Sequence, residues 1–469
     1  MKKFNFRKTF TVFALTLTLI FAAFLTGCGN GSGATSAGET DKHALAEAVA
    51  EFTSRSEIYA GGTLGMSNVR TDTYDSAKQT KKSAMTVNFS GGISYDDTTG
   101  EFGAFDADIF AFKTQPEEAG ATSGIPASSL FIRDGLSYTY DLVDYKGNAD
   151  GVKAAVKEKL DAGGKLSIFK EANLKETIIL KLGLKDMPTA QIKEIEATVE
   201  SFYSGLIKGA SELAVITKNG SDYTLDITAT LCEMIDKIAA AADAAYKNPD
   251  ATVGEFYNMP AVKTILSPVL KNIKAQDALE ILKMAIGEEY FRETAEGKLE
   301  AVISGVGTVV LDKPGAAVSL EDYLVKTVFE AGLDAGAAVI KIKDFKIGAI
   351  FGFGQDDGSD DGSGQSEEMV ETAAPAGDDI DDIRKAKDDV LEVLPSAKIT
   401  FTVESGKITR IKAKITTVSG GGIGSPDGII SSYRNEITIT AEFDVFDKMP
   451  SLLDISKVEK EKPTSDSLT

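Results

Sequence analysis

The residues able to do chemistry in this chain are few. There is one histidine, His43, and two cysteines, Cys28 and Cys232, among 469 residues. Ser-His-Asp and Cys-His catalysis both need an imidazole base, and many zinc sites need imidazole ligands. His43 falls just inside the first predicted helix and reads as a solvated helix-start residue. Cys232, in Leu231-Cys232-Glu233-Met234-Ile235 of another predicted helix, reads as a small buried core residue. Ser167-Ile168-Phe169-Lys170 has the Ser-x-x-Lys spacing of a lysine-activated serine, but the companion Ser-Asp-Asn and Lys-Thr-Gly elements are absent from the sequence. Gly352-Phe353-Gly354 and Gly420–Gly424 are glycine-rich, yet the first runs into acids that repel phosphate and the second into Ser425-Pro426, so both read as loops. The chain is therefore expected not to be an enzyme. Cys28 stands apart. It closes Leu25-Thr26-Gly27-Cys28 behind a basic start (Lys2, Lys3, Arg7, Lys8) and the apolar run Phe10 to Leu25, the pattern of an export signal. As a helix that run rises about 24 Å, short of the roughly 30 Å hydrocarbon core, so removal is expected in place of a permanent span.

Leu25–Cys28 resembles the lipobox of bacterial lipoproteins, in which the cysteine thiol receives a diacylglyceryl group before the signal is cut. The resemblance covers about the first thirty residues and implies a mature chain starting at lipidated Cys28. Two or more acyl chains anchor stably, since each buried methylene contributes about 0.8 kcal/mol. Gly29 to Gly38 is small and polar, as in a flexible tether. A second resemblance lies in Asp357–Glu368, which is similar to a calcium loop of the EF-hand family. It implies oxygen ligands from Asp357, Ser359, Asp361 and Glu368, with Ser363 lending a carbonyl and Gly362 permitting the turn. Gly364 departs from the apolar residue of that pattern, and no clear helix leads in. The alternative is a solvated linker, and no other cofactor is expected.

The elements around these residues follow from periodicity. Leu45, Val49 and Phe52 mark a helix from Thr40 behind Glu39 and Asp41. Met85, Val87 and Phe89 predict a strand that Gly91-Gly92 interrupts; Phe105, Ala107, Ile109 and Ala111 predict another, with Asp106, Asp108 and Phe110 on the opposite side. Asp134-Gly135 predicts a hairpin, Ile132, Leu136, Tyr138 and Tyr140 sharing one face. Helices are expected from Pro188 to about Leu206, from Ala229 to Lys247 and from Gln276 to Ile286, with a hairpin around Asn219-Gly220 and a helix capped by Ser319-x-x-Asp322. Residues 355 to 392 hold fourteen acids and three bases, and a helix from Asp378 ends before Pro395. The end is β: Ile399, Phe401 and Val403, a change of phase between Ile408 and Ile411 that suggests a bulge, and a clean alternation from Ile437 to Val445.

The expected fold class is α+β, antiparallel sheets faced by helices in two lobes. Residues 1–27 are expected to be signal, 28–40 lipidated cysteine and tether, 41–228 and 229–455 the lobes, with an acidic loop at 355–377, and 456–469 a polar tail. The strand aromatics Phe89, Phe105, Phe131, Tyr138, Tyr140 and Phe443 are expected core. The order helix, strands, helices, strands loosely resembles lipid-carrying lipoproteins of the LolA and LppX type, which implies an apolar cavity between layers. A net charge of −21 opposes nucleic acid. The function expected is therefore a surface-exposed lipoprotein of the bacterial cell envelope, anchored to the membrane, facing outside the cytoplasm and binding an apolar small molecule or an envelope protein. The alternatives are a calcium-stabilised adhesion or scaffold module and a transporter solute-binding protein.

Overall fold

The computed structural model describes residues 35–53, 55, 57–74, 77–94, 104–114, 125–133, 136–171, 189–287, 290–303, 307–334, 339–347, 377–424 and 430–461. Cys28 and the calcium-loop residues Asp357, Ser359, Asp361 and Glu368 lie outside them, as does Gly352-Phe353-Gly354. The chain is α+β and sorts into two compact units. One comprises the described residues within Met1–Asp186, Ala214–Ala229 and Leu391–Thr469, the other those within Met187–Leu213 and Thr230–Val390.

In chain order the first unit opens with β1 (Thr35–Ser36), α1 (Glu39–Thr53), β2 (Glu57–Tyr74), β3 (Ala77–Ser94), β4 (Phe105–Thr114), β5 (Ile125–Arg133), β6 (Leu136–Tyr145), α2 (Val152–Asp161) and β7 (Leu166–Glu171). The second unit begins with α3 (Thr189–Leu213), after which the hairpin β8 (Val215–Asn219) and β9 (Asp222–Asp226) returns to the first. Helices α4 (Ile227–Lys247), α5 (Val253–Asn258), α6 (Pro260–Leu270) and α7 (Ala275–Ile286) follow. A small antiparallel sheet runs through β10 (Phe291–Glu293), β11 (Leu299–Ile303), β12 (Gly307–Leu311), β13 (Gly332–Asp334) and β14 (Val339–Lys341), in that spatial order. Its α8 (Leu320–Tyr323) starts where Ser319 Oγ accepts from Asp322 N at 3.1 Å, the serine half of the capping box expected from Ser319-x-x-Asp322. After α9 (Gly377–Val393) the chain re-enters the first unit as β15 (Ser396–Glu404), β16 (Lys407–Gly424), β17 (Ile430–Phe446) and β18 (Lys460–Glu461).

The first unit is built on one thirteen-stranded sheet, ordered β1-β8-β9-β15-β16-β17-β2-β3-β4-β5-β6-β7-β18. Every pairing is antiparallel except β18 with β7. The expected boundary near residue 228 coincides with one crossing between units, but β15–β17 pair with β9 and β2 and do not stay with a 229–455 lobe. Residues 35 to 40 also depart from the flexible tether expected over 28–40. Thr35 and Ser36 pair with Lys218 and Thr217, and Ala37, whose N–H bonds Ile216 O at 2.9 Å, is buried.

Three local expectations change for steric reasons. Gly91-Gly92 does not interrupt β3, which runs on to Ser94. A Cβ on Gly91 would sit 2.6 Å from Ala104 O, so glycine there admits a neighbouring strand. Gly420–Gly424 is no loop but the paired end of β16. In the β5–β6 hairpin, Arg133 pairs with Leu136, which puts Phe131 opposite Tyr138 and Ile132 opposite Ser137. Ile132 therefore points away from Tyr138, and the shared face is Phe131, Tyr138 and Leu142. Helix α2 covers that face with Val152, Val156 and Leu160, and Leu166 and Ile455 complete the core. The bulge foreseen near Ile408 is present: register shifts between Thr402 and Val403, leaving Thr409 unpaired on β16.

Candidate apolar binding face

Successive strand residues point to opposite sides, so register alone assigns the two faces of the large sheet. One row reads Ile216, Leu225, Ile399, Ala413, Ala441, Leu64, Val87 and Ile109 across β8, β9, β15, β16, β17, β2, β3 and β4. A parallel row reads Ala397, Ile415, Ile439, Met66, Met85 and Ala111. One side of the sheet is thus apolar over eight strands.

Cover on this side is uneven. Ile216, Leu225, Ala397 and Ile399 are buried at one end, where α1 packs near β16 and buries Leu45, Ala48 and Val49. In the middle, Leu64 is 38% exposed, Met66 40% and Ile439 37%, although these three are register neighbours. Beside them Phe89 and Phe443 meet across Gly62 with ring centroids 5.8 Å apart, and Phe105 stacks on Phe89 at 5.9 Å. Contiguous apolar surface of this kind marks a binding surface more often than an isolated exposed side chain such as Val143 does. Two thioether side chains give it an adaptable surface.

The reverse side is polar through the middle of the sheet, and toward β5–β7 it carries the core of Phe131, Tyr138 and Leu142 under α2. Its row Thr217, Thr224, Thr400, Lys412, Glu442, Thr63, Asn88, Asp108 and Ser129 crosses the sheet, and several of these register neighbours bond through their side chains. Thr224 and Thr400 hydroxyls lie 2.9 Å apart, Thr63 Oγ1 donates to Asn88 Oδ1 at 2.8 Å, and Lys412 pairs with Glu442 at 2.8 Å. Asp106 and Asp108, expected opposite the apolar residues of β4, are not wet but buried on the α2 side. Asp106 accepts from Arg133 at 2.5 Å and from Leu453 N at 2.8 Å, pinning the segment that carries Ile455 into the core. Asp108 accepts from the Ser129 hydroxyl, and burial pushes its carboxyl above the usual range.

Among the other expected residues, His43 is half-buried on α1 and so less solvated than its position near the helix start implies. Cys232 is buried on α4. Ser167 is exposed on β7, and extension separates it from Lys170 by about 10 Å along the strand, not by one helical turn. The residues missing from the sequence reading are Leu64 and Met66, because β2 was not foreseen; their own alternation was the available signal.

In the second unit, Thr252, Glu255, Met259, Phe329, Glu330 and Lys343 border an open cleft of about 570 Å3. The helix beside it widens to a π turn over Leu324–Val328, with Phe329 N bonding Leu324 O at 2.8 Å. Glu330 receives both Lys341 at 2.7 Å and Lys343 at 2.6 Å, which hold its carboxyl down at about 2.

Among the described residues no helix is long and apolar enough to cross a membrane. Comparison with known protein families, with curated proteins and with solved structures finds no match to this chain.

Proposed function

We propose that this protein is a non-enzymatic lipoprotein of the bacterial cell envelope, tethered to the membrane through Cys28 and facing outside the cytoplasm, which holds an apolar ligand or envelope partner on the open face of its large sheet. The observation that carries the reading is the uncovered cluster Leu64, Met66 and Ile439, continuous in register with Met85 and Val87. Covering side chains that are 37–40% exposed contributes only a fraction of the roughly 1.5–3 kcal/mol of a full burial, so the acyl chain's own methylenes, at about 0.8 kcal/mol each, supply most of the binding energy. The anchor rests on the lipobox-like stretch Leu25–Cys28 and the export signal before it.

Native mass spectrometry of the full chain recovered from membranes tests the ligand. A co-purifying lipid mass is expected in the parent and is lost, or weakened at least roughly tenfold on re-addition, in Leu64→Glu/Met66→Glu with unchanged circular dichroism. An envelope protein retained in place of lipid, and released by the same two substitutions, identifies the other occupant. A parent carrying neither removes the reading. Labelling with fatty acid should mark the parent and spare Cys28→Ala; equal marking removes the anchor.

A further inference from the structure

The polar side of the sheet, opposite Leu64 and Met66, contains an open trough of about 350 Å3 bordered by Thr63, Lys398, Thr400, Lys412, Lys414, Thr440 and one acid, Glu442. Register places Lys398 directly opposite Lys414 on neighbouring strands. Like charges set across from each other destabilise a sheet. Lys412 lies on the same side and is neutralised by Glu442 at 2.8 Å; Lys398, which has Asp226 as its register partner on β9, and Lys414 have no ion pair within 4.0 Å among the described residues. This arrangement stands out in a chain with 71 acids and 50 Lys and Arg. Elsewhere carboxylates are readily supplied: Lys165 takes both Glu459 at 2.9 Å and Glu461 at 2.5 Å, and Lys341 and Lys343 share Glu330.

Beside the two lysines, β2 presents Gly65 opposite Thr440, and the Thr440 hydroxyl fills the space over the glycine. A Cβ there would come within 2.6 Å of Thr440 Oγ1. Two cations and rotatable hydroxyls around an open trough suit an acceptor with several oxygens and nearly two negative charges. A carboxylate neutralises only one of the lysines; a phosphate group, at about −1.5 to −2 near neutral pH, matches both.

We propose that this trough binds a phosphate group, with Lys398 and Lys414 supplying the charge and the Thr400 and Thr440 hydroxyls donating to its oxygens. The chemistry is the same for free phosphate and for the phosphate of a lipid headgroup.

Calorimetric titration of the purified full chain with inorganic phosphate and, separately, with glycerol 3-phosphate tests the site in chloride buffer. Saturable binding that weakens with added salt is expected. Lys398→Gln/Lys414→Gln should lose about tenfold per lysine, and Lys414→Arg should retain binding. Tighter binding of glycerol phosphate assigns the headgroup as source, and equal or weaker binding assigns free phosphate. A second readout is thermal unfolding: phosphate raises the midpoint of the parent and leaves the double variant unmoved, while without phosphate Lys414→Gln melts above the parent. No saturable heat with either probe, or undiminished heat in the double variant, overturns the proposal.

Discussion

Asp106 and Asp108 sit two residues apart on one side of β4 and meet opposite electrostatic conditions. Asp106 has a guanidinium at 2.5 Å, an ammonium at 3.7 Å and a backbone N–H, so its charge is compensated where it is buried. Asp108 has chiefly the Ser129 hydroxyl, and burial outweighs that bond and the Lys153 charge, raising its carboxyl. A carboxyl raised on folding binds its proton more tightly in the folded state. Below the ordinary carboxylate range both states are protonated and folding is unaffected. As pH climbs past it, the unfolded chain ionises first and stability falls. Asp108→Asn, which keeps an acceptor for Ser129, should therefore be more stable than the parent by about 1 kcal/mol at pH 7 and equal to it near pH 3. Urea unfolding at the two pH values checks this, and an offset that does not change with pH contradicts it. Neither acid was legible as buried. Alternation along β4 separates its sides correctly, but a strand pattern carries no sign of α2 returning to cover the polar one.

At the scale of elements, the alternating strands and amphipathic helices were readable where side chains declare their side. β17 alternates without a break, α1, α4, α7 and α9 start and stop near their expected residues, and Asn219-Gly220 turns a hairpin with Gly220 at φ 62°. β2 shows the converse. Gly61, Gly62 and Gly65 make it read as punctuation, yet it lies between β17 and β3 in the sheet. Its glycines are needed for close approach: a Cβ on Gly62 would fall 2.1 Å from Glu442 O and 2.5 Å from Phe443 Cα, both backbone atoms that cannot swing aside. The open apolar face is hidden behind the same glycines, since its centre lies on this strand and only the alternation of Leu64 and Met66 signals it. Gly62→Ala is expected to cost about 3 kcal/mol by overpacking and to disturb the Phe89–Phe443 ring contact. Gly38→Ala, where no atom lies within 4 Å of the added carbon, should stay within about 0.5 kcal/mol. Equal denaturation midpoints for the two would contradict this account of β2.

The large sheet is assembled from distant parts of the chain. β2 is paired to β17 from Tyr59–Phe446 to Thr73–Ser432, and β9 is paired to β15 from Asp222–Thr402 to Asp226–Lys398. No local pattern encodes such pairings, which is why the two-lobe division read along the sequence could not assign β15–β17 to the first unit. The same topology makes loop closure over hundreds of residues a condition for completing the sheet, so its assembly is expected to be slow beside local hairpins. It also makes the first unit depend on the end of the chain, whereas the β10–β14 sheet is closed within one stretch. A chain ending at Val390 leaves β2 and β9 as bare edges with unpaired backbone groups, a state prone to aggregation. Hydrogen exchange on that chain, kept soluble at low concentration, should show β2, β3 and β9 exchanging freely while β11 and β12 keep their protection. Persistent protection of β2 would mean that the first unit folds before its last strands arrive and that the β2–β17 pairing does not hold its centre together.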